Sequence, residues 1–274
     1  MNARRIGAAA LAAGLAVGLS ACGSGDSGSG GGGSIKIGIK FDQPGLGLKV
    51  GSDYKGFDVD VAKYVAKELG YAADKIEWTQ APSAQRETLI STGQVKLIFA
   101  TYSITDARKE KVSFAGPYFI AGQDLLVRAD DTSITGKDSL KGKKLCSVTG
   151  STSAQKVKKD VPDVNLQEFG TYSECVAALD SKTVDALTTD NTILAGYASQ
   201  EQYKGKFKVV GQPFSTEKYG VGLKKGDKDT CEKVNAALKK MVDDGSWQKA
   251  VDANLGPAGF KPGAGNPPAQ DACS

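Results

Sequence analysis

Apolar residues along the chain follow either strand-like alternation or helical spacing. Alternation over 35–39 predicts a strand. Val61, Val65 and Leu69 recur every four residues and Gly70 follows, which predicts an amphipathic helix over 58–69 with a C-terminal stop. The same pattern predicts helices at 83–92, 173–179, 190–197, 230–242 and 246–255, a helix opening at 150–152, and strands at 95–101, 124–127, 144–148, 164–169, 184–188, 207–210 and 219–223. Strands alternating with helices indicate an α/β fold with mostly parallel sheets and crossover helices.

Composition narrows the functional classes. The 274 residues are 40% hydrophobic and 24% charged, which is ordinary for a globular protein and sufficient for two domains. The net charge of +4 is too small to indicate nucleic-acid binding. The chain has no histidine, which excludes His-based acid–base catalysis and the commonest zinc ligand sets. We therefore expect a protein that is not an enzyme and needs no metal or cofactor.

The first 21 residues have the parts of a secretory signal peptide. Arg4 and Arg5 precede an apolar run, and Leu19-Ser20-Ala21-Cys22 resembles the lipobox of bacterial lipoproteins. In such proteins the leader is cut before the cysteine, here Cys22, which is lipidated. The alternative is an ordinary secretory leader in which Cys22 is incidental. The Gly/Ser-rich segment 22–34 is typical of a flexible tether. These features predict an extracytoplasmic protein anchored to the cell membrane by lipid.

Four further cysteines remain once Cys22 is set aside. An even number in an exported chain indicates two disulfides, and four cysteines allow three pairings. Cys146 and Cys175 share one stretch of alternating strands and helices, whereas Cys231 opens a late helix and Cys273 ends a Gly/Pro-rich tail. These positions favour Cys146–Cys175 and Cys231–Cys273. Free thiols with redox or metal roles are disfavoured because no Cys-x-x-Cys spacing occurs.

Candidate chemistry concentrates where predicted strands lead into helices. Ligands of open α/β sheets bind at the carboxyl ends of strands, which here are 40–41, 100–108, 150–153 and 188–191. The loop 100–108 combines hydroxyl groups with Arg108, whose guanidinium can hold a carboxylate in two hydrogen bonds. The alternative is a simple capped helix with Thr105 as N-cap and Arg108 in solvent.

Several motifs resemble one known family. Ser103-Ile-Thr-x-x-Arg108 and the following Phe114-Ala-Gly-Pro-Tyr118 resemble the signature of family 3 extracellular solute-binding proteins, which serve ABC importers of polar amino acids. The resemblance spans about 35–255 and includes Gly56-Phe-Asp-Val-Asp-Val-Ala62, Leu140-Lys-Gly-Lys143, Tyr219-Gly-Val-Gly-Leu223 and Asp243-Asp-Gly-Ser-Trp247. Within the family, three segments look most like actinobacterial glutamate-binding lipoproteins: Lys40-Phe-Asp-Gln-Pro-Gly-Leu-Gly47, Ser83-Ala-Gln-Arg-Glu-Thr-Leu-Ile90 and Cys146-Ser-Val-Thr-Gly-Ser-Thr152.

The resemblance implies the type II periplasmic-binding-protein fold, with two α/β lobes joined by two hinge crossings. Lobe 1 would comprise 35–119 plus 218–260, and lobe 2 would comprise 120–217. The crossings would lie near 119–121 and 215–218, and the tail 261–274 would be held by a disulfide. The lobes would close on a ligand, and the protein would act as a monomer.

The resemblance also implies roles for individual residues. Arg108 would hold the ligand α-carboxylate, with Thr152 offering hydroxyl and N–H groups to it from the facing lobe, and Asp190 would accept the α-ammonium group. An alternative for Asp190 is a helix N-cap. The implied ligand-binding set is Arg108, Arg86, Asp190, Thr101, Ser103, Thr152, Ser151, Lys40 and Phe41.

Specificity for the ligand side chain depends on Arg86. Acidic-amino-acid binders of the family carry arginine at this position, so Arg86 would pair with a side-chain carboxylate, assisted by Lys40, while Phe41 covers the aliphatic stem. The alternatives are an exposed helical Arg86 near Glu87 and a solvated Lys40.

The implied function is capture of glutamate, with aspartate, glutamine or asparagine as further candidates, and delivery to an ABC permease with its ATPase. The alternatives are a sensor component and a dehydratase-like enzyme of the same fold that acts on a small carboxylate. A short match, Ser153-x-x-Lys156, occurs in penicillin-binding proteins and β-lactamases, but their Lys-Thr-Gly motif is absent.

Overall fold

A computed structural model describes residues 33–273 of the chain. The predicted leader, Cys22 with its predicted lipidation, and most of the predicted tether lie outside the described residues. Within 33–273, no helix is both long and apolar enough to cross a membrane.

Strands and helices alternate through most of the described chain. The strands are β1 Ile35–Ile39, β2 Asp42–Gln43, β3 Gly47–Val50, β4 Asp53–Lys55, β5 Ile76–Gln80, β6 Leu97–Phe99, β7 Val112–Ala121, β8 Gln123–Arg128, β9 Lys144–Val148, β10 Asn165–Phe169, β11 Ala186–Asp190, β12 Phe207–Val209 and β13 Glu217–Lys224. The α-helices are α1 Phe57–Glu68, α2 Arg86–Ser91, α3 Asp106–Lys109, α4 Thr152–Asp160, α5 Tyr172–Asp180, α6 Asn191–Ala198, α7 Lys228–Asp243 and α8 Ser246–Asn254.

Two five-stranded sheets with matching topology form the framework. The first sheet has the order β5-β1-β6-β13-β7, and the second has the order β10-β9-β11-β8-β12. In each sheet three parallel strands lie side by side, and the fourth strand in the order runs antiparallel to both of its neighbours. The parallel strands align their carboxyl ends at one edge, so the polar residues that follow them gather there.

The chain passes between the sheets twice, and the two passages run side by side. The last pair of the β7–β13 ladder joins Ala121 to Glu217. Just beyond it, the Gln123 N–H donates to Ser215 Oγ at 3.0 Å, and the Phe214 N–H donates to the Gln123 carbonyl at 2.9 Å. The link between the sheets is therefore a hydrogen-bonded pair of short segments.

Regular elements that the sequence pattern did not predict include the small antiparallel sheet β2-β3-β4, the edge strand β5 and the strand β7. Pro117 and Gly116 interrupt the strand signal of β7, because proline has no N–H to donate to a ladder. At the sheet edge this loss is tolerated. The predicted helix 83–92 begins as a 3₁₀ turn, Ser83–Gln85, before α2.

The C-terminal tail covers the outer edge of β7. The Asp271 N–H donates to the Gly116 carbonyl at 2.7 Å, and the Asn266 side chain bonds both the N–H and the carbonyl of Ile120. The disulfide Cys231–Cys273 ties the end of this tail to α7. Together these contacts satisfy backbone groups that an edge strand otherwise leaves open.

Both favoured disulfides occur in the structure. Cys146 on β9 bonds Cys175 on α5, with the Cα atoms 5.6 Å apart. The Cα atoms of Cys231 and Cys273 are 5.9 Å apart. Both separations fall in the usual range for disulfides.

Replacing Cys231 and Cys273 by serine should lower the free energy of unfolding by about 4 kcal/mol, because the bond closes a loop of 42 residues in the unfolded chain. The matched comparison is serine at Cys146 and Cys175, where a loop of 29 residues predicts a slightly smaller loss of about 3.5 kcal/mol. Urea unfolding of both variants measures the losses. A Cys231/Cys273 variant as stable as the native protein would contradict this account.

Candidate functional site

The candidate site lies between the two sheets, at the carboxyl ends of their parallel strands. Lys40 follows β1 and Thr101 closely follows β6, whereas Ser151 closely follows β9 and Asp190 ends β11. A cavity of about 10 Å³ separates the two groups. Its lining residues are Ser83, Arg86, Thr101, Ser151, Thr152, Ser153, Tyr172, Asp190 and Ile193.

Two buried cations stand on the first-sheet side of this cavity. Arg86 is 2% exposed, and its Nη1 donates to the Ala100 carbonyl at 2.9 Å. Lys40 is 3% exposed, and its Nζ donates to Ser83 Oγ at 2.9 Å. Within residues 33–273 neither cation has a carboxylate within ion-pair distance. The alternatives of an exposed Arg86 and a solvated Lys40 are therefore wrong.

Burial without an ion-pair partner lowers the pKa of both side chains. Burial, reinforced by repulsion from Arg86, lowers the pKa of Lys40 to about 7. Burial, reinforced by repulsion from Arg108, lowers the pKa of Arg86 to about 10. The Arg86 Nε also has no hydrogen-bond partner among the described residues. An anion placed beside these groups would relieve the repulsion and satisfy the free donor.

Arg108 is also buried, at the margin of the same site. Its Nη1 donates to the Ser103 carbonyl at 2.7 Å, and its Nη2 donates across to the Gly150 carbonyl at 3.1 Å. Its Nε lies 3.5 Å from a Glu87 carboxylate oxygen. Thr105 does cap the short helix α3, as the alternative interpretation held, but Arg108 is only 6% exposed and is not in solvent.

The ring of Tyr102 supports both guanidinium groups. The Cζ atom of Arg86 lies 4.2 Å from the ring centroid, and that of Arg108 lies 5.0 Å from it. The electron-rich face of an aromatic ring attracts cations, most strongly where water is excluded. Tyr102 thus stabilises two neighbouring positive charges that otherwise repel each other.

Asp190 supplies the negative charge on the second-sheet side. It is 4% exposed, and its Oδ2 accepts a hydrogen bond from Tyr219 Oη at 2.7 Å. Its Oδ1 has no partner among the described residues. Burial, followed by repulsion from Glu217, raises the pKa of Asp190 to about 7. Asp190 does occupy the N-cap position of α6, as the alternative held, but its side chain makes no capping hydrogen bond and faces the cavity instead.

The beginning of α4 brings backbone and hydroxyl groups to the cavity. Ser151 is the N-cap, and its Oγ accepts from the Ala154 N–H at 3.0 Å. Thr152 Oγ1 lies 3.4 Å from Ser103 Oγ and 3.2 Å from Glu217 Oε2. A Cβ on Gly150 would lie only 2.7 Å from Ala84 Cα, so glycine is required where this turn meets the 3₁₀ turn Ser83–Gln85. Residues of both lobes therefore meet at this turn.

Thr101 holds an unusual backbone conformation in the site. Its φ angle is 47°, in the left-handed region that non-glycine residues rarely adopt. Its N–H donates to Asp58 Oδ2 at 3.0 Å, and Tyr118 Oη donates to Asp58 Oδ1 at 2.7 Å. Burial raises the pKa of Asp58 to about 6, although both hydrogen bonds favour its charged form. Asp58 thus holds the backbone of Thr101 in place, although it does not itself line the cavity.

The structure groups most of the predicted binding residues. Five of them line the cavity: Arg86, Thr101, Ser151, Thr152 and Asp190. Lys40, Ser103 and Arg108 are buried beside it through contacts with lining residues or with Gly150. Phe41 does not line the cavity. Its ring packs on Tyr54, with centroids 5.3 Å apart, so its proposed contact with a ligand stem lacks support.

The sequence interpretation did not assign roles to the lining residues Ser83, Ser153, Tyr172 and Ile193. A signal for Tyr172 was present, because Thr171-x-x-Glu174 is a capping-box pattern directly after a strand. That pattern places Tyr172 at a strand-to-helix junction like those already singled out.

Comparison with known proteins establishes the family. Residues 35–257 match the family described as bacterial extracellular solute-binding proteins, family 3. The chain is 51% identical over 269 residues to the glutamate-binding protein GluB of Corynebacterium glutamicum, covering 92% of this chain and 90% of that protein. It is 38% identical over 217 residues to the ABC transporter glutamine-binding protein GlnH of Bacillus subtilis, covering 78% of each.

A solved structure shares the architecture. An ancestral arginine-binding protein bound to glutamine superposes with a TM-score of 0.76 at 35% identity, covering 82% of this chain and 98% of that one. This chain belongs to the family 3 extracellular solute-binding proteins and has their two-lobe type II fold.

Proposed function

We propose that this protein captures glutamate between its two lobes and delivers it to an ABC permease. The observation that carries the proposal is the charge arrangement around one cavity. Arg86 and Lys40 are buried cations without an ion-pair partner among the described residues, and Asp190 faces the same cavity with an unpartnered carboxylate oxygen. Glutamate carries two carboxylates and one ammonium group, so it can pair with all three.

Each group of the ligand has a matching partner. Arg108 would receive the α-carboxylate after exchanging its hydrogen bond to the Gly150 carbonyl, with the N-terminus of α4 opposite. Asp190 would accept the α-ammonium group. Arg86, assisted by Lys40, would pair with the side-chain carboxylate. A glutamine amide would leave part of this positive charge unpaired, which is costly in a buried site.

Lobe closure would complete the site. We assign lobe 1 to 35–119 plus 218–260 and lobe 2 to 120–217, with the hydrogen-bonded passages near Gln123 and Ser215 as the hinge. The existing contact between Arg108 and the Gly150 carbonyl supports a close approach of the two lobes. A cavity of about 10 Å³ must widen to admit an amino acid, which requires the lobes to separate first.

Membrane anchoring and transport complete the proposal. Lipidated Cys22 and the Gly/Ser tether would hold the receptor at the cell surface beside its permease and ATPase, a partnership supported by the ABC transporter name of the Bacillus relative. We propose binding without catalysis. Lys156, which ends the Ser-x-x-Lys match, makes an ion pair with Glu217 and makes no hydrogen bond to Ser153. Glutamate uptake by a strain that lacks this protein separates the two roles. A role in transport predicts a loss of uptake, whereas a role in sensing alone does not.

Calorimetric titration of the exported part of the chain tests the proposal. The protein is unfolded and refolded to remove carried-over ligand, and then titrated with glutamate, aspartate, glutamine, asparagine and arginine. Tight binding of glutamate and weak binding of arginine are expected. Preference for arginine, or no binding of any of the five, would refute the assignment.

Replacing Arg86 with leucine should weaken glutamate binding on the order of 100-fold more than glutamine binding, because only glutamate brings a second carboxylate. Calorimetry on the same variant with both ligands measures the ratio. General damage to the site would weaken the binding of both ligands equally. The ratio of the two losses therefore reports the pairing of Arg86 with the side-chain carboxylate. Arg86→Lys, which keeps the charge, is the matched control and should retain more of the preference. Equal losses in Arg86→Leu would exclude Arg86 as the side-chain partner.

Glutamate affinity should be greatest near pH 7 and fall on both sides. Below pH 7, Asp190 is protonated and must lose that proton to bind the ammonium group. Above pH 7, Lys40 is neutral and must gain a proton to bind the carboxylate. Each limb should approach about a tenfold change per pH unit.

Glutamine is the control for this pH dependence, because it should show only the acidic limb. Dissociation constants between about pH 5.5 and 8.5 give both profiles. Histidine cannot produce the acidic limb, since the chain contains none. A glutamate affinity that is constant over this range would contradict the prediction.

A further inference from the structure

Asp42 joins the two lobes at a point outside the cavity. It is the first residue of the short strand β2, Asp42–Gln43, in lobe 1. Its Oδ2 accepts hydrogen bonds from the Tyr172 N–H at 3.1 Å, the Ser173 N–H at 3.3 Å and Tyr197 Oη at 3.2 Å. Tyr197 Oη also donates to the Asp42 carbonyl. One acidic residue of lobe 1 thus receives donors from both α5 and α6 of lobe 2.

These contacts satisfy groups that α5 cannot satisfy by itself. The first N–H groups of a helix have no partner inside the helix, and the positive end of its dipole favours a carboxylate. Thr171 caps α5 by accepting from the Glu174 N–H. The N–H groups of Tyr172 and Ser173, in the first turn, are left for Asp42. Opening the cleft would return these donors and the carboxylate to water.

The neighbouring backbone approaches α6 just as closely. A Cβ on Gly196 would lie 2.2 Å from the Pro44 carbonyl oxygen, so any larger residue would prevent the present contact. Gly196 lies inside the helix, where glycine is a poor helix former and alanine a good one. The close approach, rather than helix formation, therefore requires glycine here.

The Asp42 contacts fix one wall of the cavity. Tyr172 lines the cavity, and its ring centroid lies 5.9 Å from Lys40 Nζ. Asp42 itself does not line the cavity. We propose that Asp42 is a positioning residue that holds lobe 2 closed through the first turn of α5 and through Tyr197, and so sets how slowly a bound amino acid leaves. The proposal rests on the proposed function.

A purely electrostatic role for Asp42 makes a different prediction. The negative charge of Asp42 raises the pKa of Lys40, which faces the proposed side-chain carboxylate, while Arg86, Arg108 and Asp58 also act on Lys40. If this were its only role, Asp42→Asn would weaken the binding of glutamate and leave the binding of glutamine unchanged. We call the contacts of Asp42 with α5 and Tyr197 the lock. A lock that stabilises the closed state slows the release of both ligands equally, because Asp42 contacts neither ligand.

Three variants separate these roles. Asp42→Asn weakens the acceptor, Tyr197→Phe removes one donor and keeps the ring, and Gly196→Ala blocks the close approach without changing any charge. Asp227→Asn is the matched control, since Asp227 also caps a helix, α7, but does so within lobe 1. Stopped-flow fluorescence measures association and dissociation rates of glutamate and glutamine for each protein.

Dissociation of both ligands should be about tenfold faster in Asp42→Asn and Gly196→Ala, the size of effect expected from one charged hydrogen bond. Tyr197→Phe should show a smaller increase. Association rates should not fall, because losing the lock favours the open form that a ligand enters. Asp227→Asn should dissociate both ligands at the native rate. The unfolding midpoint of ligand-free Gly196→Ala should not fall, which distinguishes the lock from a purely structural role.

Two results would overturn the proposal. Native dissociation rates in both Asp42→Asn and Gly196→Ala would show that the contact does not hold the closed state. Faster release of glutamate alone in Asp42→Asn, with native rates in Gly196→Ala, would assign Asp42 to the charge of Lys40.

A separate measurement applies if the native protein binds none of the five amino acids. Small-angle X-ray scattering of the ligand-free proteins then decides, because a lost lock should increase the radius of gyration of Asp42→Asn and Gly196→Ala relative to the native chain and Asp227→Asn. Unchanged radii would reject the lock, and increased radii would support it even though the ligand assignment had failed.

Discussion

A buried charge requires a partner of opposite sign, and this requirement governs the cleft between the two sheets. The first lobe brings Arg86 and Lys40 to the cavity without an ion-pair partner among the described residues, and the second lobe brings Asp190 with one free carboxylate oxygen. Burial lowers the pKa of Lys40 and of Arg86 and raises the pKa of Asp190, so it favours the neutral form of each group. The site therefore favours a molecule that carries both signs of charge in a compatible arrangement, which is the property of an amino acid.

The core and the cleft are coupled through two tyrosines on adjacent strands. Tyr118 on β7 and Tyr219 on β13 pack their rings in the aromatic core, with centroids 6.1 Å apart. Their hydroxyl groups reach out of the core to Asp58 and Asp190. Asp58 in turn fixes the strained backbone of Thr101. The paired strands that lead to the hinge thus also position an acid on each side of the cleft, so packing near the hinge controls the geometry of the site.

Backbone atoms take part in several of the contacts between the lobes. The carbonyl of Gly150 accepts from Arg108, the carbonyl of Pro44 approaches Gly196, and the first N–H groups of α5 bond Asp42. Backbone groups approach this closely only where glycine or an exposed helix end leaves room. The surroundings of the cavity can therefore stay closely fitted while side chains inside it determine which ligand is accepted.

Much of the local structure and the chemical types at the site could be predicted from the sequence. The bounds of β1 and β9, the N-cap Thr105 and the grouping of Arg86, Thr101, Thr152 and Asp190 follow from spacing, capping and family motifs. The burial of Arg86 and Lys40, the position of Phe41 outside the cavity and the bond from α5 to Asp42 depend on tertiary packing and could not be predicted. Burial depends on what distant parts of the chain cover, and a bond between residues 130 positions apart has no local signal.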